Sequence, residues 1–408
     1  MRRLLAGMAL MALSMGMAGL ALPLYAKELG ASYTEIGMLG VAYVIFMVLF
    51  SVPVGSAGDR RGRKPLLVLG FFLTACALAL YSLVDVVIWL IALRFLQGAT
   101  EAPIWVNAQS AIADLSGRGE RGRAMGTYGT SWAVGFAIGP LLGGAIYVTI
   151  GPAQTFLLSA LAAFIATAII AGISLPKPKL VERKLQLSTI WPACFVGLIY
   201  VGIVSIIFTL FPAYATSTEG LDIPKVEVGF LIAIFAGIRG VLFVPMGSLS
   251  DRAGHRSAIL AGMFGSTFAL VALSLISSYL ALAAIISILA AAEGAVYPAV
   301  MSMISKAGEG ENLGYVIGIF NAITMVGWGL FPGVGGALAD VYGPTSPYLM
   351  CAVVALVASV LLWKLLPKKE EVVVPGAGIE PATSRFPIIQ QVSTHGPAQG
   401  YESGATNH

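Results

Sequence analysis

Apolar residues run along this chain in long uninterrupted stretches, separated by short polar connections. Runs of this length predict helices, and a helix of roughly 20 apolar residues spans the hydrocarbon core of a bilayer. Twelve such spans can be placed, at 4–24, 35–57, 66–84, 86–114, 124–147, 153–175, 190–214, 226–249, 258–277, 279–304, 314–339 and 345–366. Several contain Gly or Pro, which spanning helices tolerate because neighbouring helices re-satisfy the backbone. The ten-residue alternation of a membrane β-barrel is absent. The first span follows Met1-Arg2-Arg3, and Leu24-Tyr25-Ala26 is a passable signal cleavage site. Its apolar run is long for a signal, and removing it would leave an odd number of helices, so it is read as a span.

Composition agrees with a chain solvated by lipid. Of 408 residues, 58% are hydrophobic and 11% charged, where a soluble domain carries about a quarter charged residues. Cys76, Cys194 and Cys351 all fall inside apolar runs without CxxC or Cys/His neighbours, as small buried hydrophobes do. The net charge of +4 matters less than its placement. Of the 24 Lys and Arg, only Lys27 and Lys225 fall on one side of the twelve-span topology, and Arg94 and Arg239 fall within spans. All the others fall on the opposite side, from Arg2 and Arg3 through the Arg60–Lys64 cluster to Lys369 and Arg385. The positive-inside rule makes that side cytoplasmic, with both termini.

The two halves of the chain repeat. Gly37, Pro53, Gly55, Ser56, Asp59, Arg60 and Gly62 recur 192 positions later as Gly229, Pro245, Gly247, Ser248, Asp251, Arg252 and Gly254. Glu101 recurs as Glu293, and Gly135, Pro140, Gly143 and Gly144 recur as Gly327, Pro332, Gly335 and Gly336. Six helices is an even number, so both copies keep the same orientation, a parallel repeat about the membrane normal. The expected organisation is a six-helix bundle at 1–175, a cytoplasmic linker at 176–189, a second bundle at 190–366 and a disordered tail at 367–408. The tail segment Gly376–Thr383 resembles the translation of an antisense transfer-RNA gene, which would make the tail a read-through without function.

At these residues the chain resembles the major facilitator superfamily. Gly55-Ser56-Ala57-Gly58-Asp59-Arg60-Arg61-Gly62-Arg63-Lys64 is similar to that family's signature loop between helices 2 and 3. Gly247–Arg256 is its weaker copy between helices 8 and 9, with His255 and Arg256 in place of Arg63 and Lys64. Leu93–Gly98 resembles the helix 4 motif. Gly135-Phe136-Ala137-Ile138-Gly139-Pro140-Leu141-Leu142-Gly143-Gly144 resembles the helix 5 motif associated with the family's proton-driven exporters, although related patterns occur in importers. The resemblance covers residues 1 to about 366 and implies an all-α membrane fold of twelve helices in two parallel repeats, in which helices 1, 4, 7 and 10 line a central cavity. It further implies that Asp59 faces the start of helix 11 near Gly314, a charge–dipole contact. With Arg60, Arg63, Lys64, Asp251 and Arg252, it would gate two alternating states. Gly55 and Gly62 would let helices approach closely. Fixing topology is the plainer role for these charges, and packing alone is the plainer role for the Gly139-Pro140 and Phe331-Pro332 pairs.

Ionisable groups inside a membrane are costly and mark function by default. Arg94, Glu101, Arg239 and Glu293 lie well inside spans. Glu101 and Glu293 occupy equivalent positions, each followed four residues on by an aromatic, Trp105 and Tyr297. Arg94 lies two turns before Glu101 on the same face, with Gln97 between. The expectation is that at least one glutamate carries a coupling proton or contacts a cationic substrate. A structural ion pair or a backbone hydrogen bond is the alternative. Arg239 has no counterpart in the repeat, since the offset lands on Met47, and lies roughly 18 Å from the helix end at Asp251. It is a candidate for substrate contact or for pairing with a glutamate. Tyr43, Tyr128, Trp132, Tyr200, Asn321, Thr324 and Trp328 could furnish a pocket. Helices 3, 6, 9 and 12 carry few polar side chains, as outer positions would.

The function expected from this reading is secondary active transport by alternating access, most simply proton-coupled export of an amphipathic compound. The alternatives are a proton-coupled importer of a sugar or organic acid, with Arg94 and Arg239 binding substrate, and a non-transporting membrane sensor. No nucleophile–base set or metal cluster is evident, His255, His395 and His408 fall outside the spans, and no phosphate-binding P-loop is present. No enzymatic activity, cofactor, metal or nucleic-acid partner is therefore expected. The expected partners are a small molecule, protons and the plasma-membrane bilayer, with a monomer as the working unit.

Overall fold

The computed structural model describes residues 1–115, 121–175, 187–307 and 313–365. Residues 176–186 of the expected 176–189 linker and the tail expected at 367–408 lie outside the described residues, and 187–189 already belong to the next helix. Within them the protein is helical, and twelve helices are long and apolar enough to cross a membrane. They are α1 (Arg2–Glu28), α2 (Tyr33–Arg61), α3 (Arg63–Leu80), α4 (Val87–Leu115), α5 (Arg121–Ile150) and α6 (Pro152–Ala171). After the linker come α7 (Leu187–Thr209), extended by a short helix Phe211–Thr216, then α8 (Lys225–Ala253), α9 (His255–Leu273), α10 (Tyr279–Ala307), α11 (Leu313–Tyr342) and α12 (Ser346–Leu365).

The packing repeats with the sequence. α1 packs on α5 and α6, α2 on α4, and α3 on α4 and α6; correspondingly α7 packs on α11, α8 on α10, and α9 on α10 and α12. Two further pairings join the repeats, α2 with α11 and α5 with α8.

The signature segments are not loops, as the sequence reading had them. Gly55, Asp59 and Arg60 belong to the last turns of α2, and Arg63 and Lys64 open α3. The connection is Gly62 alone, at φ 94°. Gly254, at φ 90°, does the same between α8 and α9, so Gly247, Asp251 and Arg252 are also helical. A side chain would be strained at that φ. Gly62 has open space around it, so its part is conformational rather than close packing; Gly55 is the one that approaches a neighbour, Val106 of α4.

The repeats are held together most closely on the face away from these basic helix ends. At the start of α2, Ser32 and Glu35 form a capping box, with the Ser32 amide donating to Glu35 at 2.9 Å. The Tyr33 and Thr34 amides donate to the Asp340 carboxylate of α11, at 2.8 Å each. The Ile36 amide closes on the Ser32 carbonyl at 3.1 Å. The first four amides of a helix have no partner of their own, and here the other repeat supplies two. On the second seam, Lys225 of α8 pairs with Glu28 of α1, which also accepts the Tyr147 hydroxyl of α5 at 2.7 Å.

Candidate functional site

Glu101 is 3% exposed in the middle of α4. Its helix places Arg94 seven and Gln97 four residues before it, and Trp105 four after it, on one face. Gln97 Nε2 donates to Glu101 Oε1 at 2.7 Å, and Arg94 donates to Gln97 Oε1 at 3.0 Å. Tyr43 of α2 donates to Glu101 Oε2 at 2.6 Å, and Trp105 Nε1 approaches the same oxygen at 3.4 Å. Tyr81, in the turn after α3, also donates to Gln97 Oε1, at 2.9 Å. The Arg94 guanidinium lies 4.9 Å over the Tyr43 ring. Both carboxylate oxygens are thus engaged, and the Arg–Gln–Glu chain expected from spacing is formed.

Glu293 is fully buried in α10 but far less supported. Ser266 of α9 donates to Oε1 at 2.7 Å, and Oε2 has no hydrogen-bond partner among the described residues. The repeat explains the difference. The positions of Tyr43 and Gln97 are taken by Phe235 and Leu289, which have no group to donate. Thr74, equivalent to Ser266, bonds Thr100 instead, at 3.0 Å. So α9 is not purely an outer helix: among the described residues it supplies the one hydrogen-bond donor to Glu293.

Arg239 of α8 lies beside this site. Its Cα would be 3.7 Å from a Cβ built on Gly294, so α8 and α10 are nearly in backbone contact there. The guanidinium is set over the rings of Phe235 at 5.0 Å, Tyr200 at 5.4 Å and Phe243 at 5.8 Å, and donates to the Tyr200 hydroxyl. Tyr297 backs this box, 5.6 Å from Tyr200 and 5.0 Å from Phe243. Arg239 Nε has no hydrogen-bond partner among the described residues.

A run of aromatic rings crosses between the repeats. Trp105 stacks on Trp132 of α5 at 4.3 Å, Tyr128 meets Trp132 edge-on, and Trp132 stacks on Phe136 at 5.6 Å. Phe136 meets Phe208 of α7 at 5.8 Å, and Phe208 meets Trp328 of α11 at 6.2 Å. Trp328 Nε1 is buried without a hydrogen-bond partner among the described residues. Nearer the basic ends, Asn321 of α11 donates to Gln109 of α4 at 2.5 Å, and the Thr324 hydroxyl turns back onto the Asn321 carbonyl. Sequence reasoning missed Phe208, Phe235, Phe243, Gln109 and Ser266. Their apolar or small polar side chains stand out only once the helices are paired.

At the basic face, Arg63 pairs with Asp59 at 3.3 Å and with Asp114, at the end of α4, at 2.5 Å. The expected partner of Asp59, the start of α11, has side chains outside the described residues, as do Asp251 and Arg252. Arg60 is exposed and Lys64 half-buried.

The helix 5 motif divides between two neighbours. Gly135, Gly139 and Gly143 face α1, each too close to the backbone of Ala9–Met17 for a Cβ. Pro140 and Gly144 face α8: a Cβ on Gly229 would lie 2.8 Å from the Pro140 carbonyl oxygen. The repeat-equivalent pair does the same on α2 and α11, with Gly37 against the Pro332 carbonyl. Pro332 also leaves the Trp328 carbonyl without its helical donor, and that oxygen faces Gly40.

The Major Facilitator Superfamily profile matches residues 4–242 and 193–398. An uncharacterised transporter of that type from Methanocaldococcus jannaschii is 27% identical over 352 residues, covering 83% of this chain and 90% of the relative. The multidrug resistance protein MdtG of Dickeya zeae is 26% identical over 369 residues, covering 85% and 90%. Among solved structures, a bacterial homologue of the human lysosomal transporter Spinster superposes with a TM-score of 0.75 at 16% identity, covering 89% of this chain and 95% of that one. A POT family transporter in complex with 5-aminolevulinic acid superposes at 0.76 with 12% identity and the same coverage.

Proposed function

The chain belongs to the major facilitator superfamily and is an integral-membrane transporter of small molecules, and from that premise we propose that it exports an amphipathic compound in exchange for protons. The observation that carries this reading is Glu293, a carboxyl group buried at mid-span with one oxygen unpartnered. A buried polar atom without a partner is costly. It is retained where it must bind and release something, and a proton is the ligand that a lone carboxyl oxygen accepts. Glu101 has the same position in its repeat but has both oxygens engaged, so it serves as a fixed structural anion that holds α2 to α4.

The aromatic run from Trp105 to Trp328 offers stacking surface to a flat or bulky apolar molecule, spanning both repeats. Alternating access would make and break the α2–α11 and α5–α8 seams. With the basic face cytoplasmic, the seams close the outer side. The relatives named multidrug resistance protein support the direction. An importer of sugars would set amides around its cavity; Arg94 here is bound to Gln97 and the central surface is aromatic. The termini, on this reading, are cytoplasmic in the plasma membrane.

The test is transport in proteoliposomes with an imposed pH gradient and a panel of lipophilic cations, anions and neutral compounds. Movement of a compound against the direction of proton flow supports exchange. Movement with the protons overturns it.

A further inference from the structure

We propose that the aromatic box of Tyr200, Phe235 and Phe243 is the receptor for the cationic group of the substrate, and that Arg239 occupies it as a tethered stand-in which the substrate must displace. The inference rests on the export reading for its choice of an amphipathic substrate, and adds to it the charge, the place and the competitor.

The geometry has three parts. First, the guanidinium stands over three rings at 5.0–5.8 Å, the arrangement by which aromatic faces bind cations. An arginine placed to bind an anion would present its planar fork to the cavity. Here a terminal nitrogen is committed to the Tyr200 hydroxyl. Second, the box is built for a cation in general. Its walls come from α7 and α8 and are backed by Tyr297 of α10, with no carboxylate hydrogen-bonded to the guanidinium among the described residues. Third, there is a place for Arg239 to go. α8 and α10 approach closely at Arg239 and Gly294, and the neighbouring Glu293 has Oε2 unpartnered.

These parts make a cycle. With no substrate bound, Arg239 fills the box and Glu293 holds a proton. A substrate cation entering the box moves Arg239 toward Glu293. The carboxyl proton then leaves to water, and the carboxylate pairs with the guanidinium. Charge is conserved in the site: one cation enters and one proton leaves. Among the described residues, the other titratable groups that interact with Glu293 are Tyr200 of α7 and Cys351 of α12, and Arg239 is its cationic neighbour.

The experiment is equilibrium binding of tetraphenylphosphonium to the purified full chain in detergent, without any gradient. Arg239→Gln removes the competitor and is expected to tighten binding about tenfold. Tyr200→Phe keeps the ring but releases the guanidinium, and is expected to tighten binding a fewfold, which keeps the test valid if Arg239→Gln does not fold. Phe243→Leu removes one wall and is expected to weaken binding about fivefold. Unchanged or weaker binding in Arg239→Gln and Tyr200→Phe overturns the proposal, as does loss of an aromatic carboxylate probe's binding in Arg239→Gln. Absence of tetraphenylphosphonium binding in every variant also overturns it. Because binding has no direction, these outcomes are separate from the vesicle test: the box can hold while export fails, and the reverse.

Discussion

Gly37 meets Pro332 backbone to backbone, so closely that a Cβ added to Gly37 would stand 2.2 Å from the Pro332 carbonyl oxygen. Gly229 meets Pro140 in the same way at 2.8 Å. Each glycine belongs to one repeat and each proline to the other, so the seam between the repeats is itself repeated. Gly37→Ala is expected to destabilise the sealed state by about 1–3 kcal/mol, the usual cost of overpacking. That is a population shift of about 5- to 150-fold. Gly229→Ala has more room and should do less. Ser217, which follows the short helix Phe211–Thr216, is 9% exposed and is hydrogen-bonded to the Tyr33 hydroxyl of α2 at 3.1 Å, so rates of labelling by an impermeant maleimide at Ser217→Cys, in a background without the native cysteines, measure the shift. Equal labelling in Gly37→Ala and the parent would contradict it.

The two glutamates should separate under substitution. Glu101→Gln disturbs a carboxylate with three donors and is expected to cost about 1–2 kcal/mol of stability, seen as a lower Tm, while proton-coupled exchange persists. Glu293→Gln should leave Tm unchanged and abolish coupling to an imposed pH gradient. The reverse assignment, with coupling lost in Glu101→Gln and kept in Glu293→Gln, would refute the roles given to them.

Tyr43→Phe copies onto the first repeat the arrangement that Phe235 gives the second. The 2.6 Å bond to Glu101 disappears, at an expected cost of about 1–2 kcal/mol. A thermal shift no larger than that of a surface substitution would mean the bond contributes little.

Asp340→Asn weakens the cap on α2. A carboxylate at a helix N-terminus contributes about 0.3–1 kcal/mol when exposed, so maleimide labelling at Ser217→Cys should rise about two- to fivefold. The Ser32–Glu35 box remains and keeps α2 helical, so circular dichroism should not change.

The Glu28–Lys225 pair is partly exposed, at 37% and 33%, and pairs of that kind contribute about 0.2–1 kcal/mol. The exchange Glu28→Lys with Lys225→Glu should restore the labelling rate that either single change raises. The coupling should shrink in high salt.

Much of this architecture is legible in the sequence, for physical reasons. Apolar runs report the twelve helices because lipid admits only helices and closed barrels as spanning backbones, and long continuous runs lack the alternation of a barrel. The Arg94–Gln97–Glu101 chain is legible because all three residues share one helix face. What the spacing cannot report is contact between helices. Ser266 is one of three hydroxyl residues on a mostly apolar helix, and only folding brings it, rather than Ser257 or Thr267, to Glu293. The box around Arg239 draws its rings from α7 and α8. Asp340 reads as the end of a span, and its role depends on the amides of a helix 307 positions away from it in the Tyr33 bond. The signature segment resembles a family loop, but in the structure its charges sit on the turns of two helices that meet at Gly62.

The two seams differ in their response to the medium. The α2–α11 seam is closed by a carboxylate on backbone amides, whose fixed geometry dilute electrolyte hardly alters. The α5–α8 side is tied by an ammonium–carboxylate pair that mobile ions can replace. Ionic strength therefore loosens one edge of the closed end and spares the other. Rising salt outside the membrane is therefore expected to release the α5–α8 edge before the α2–α11 edge.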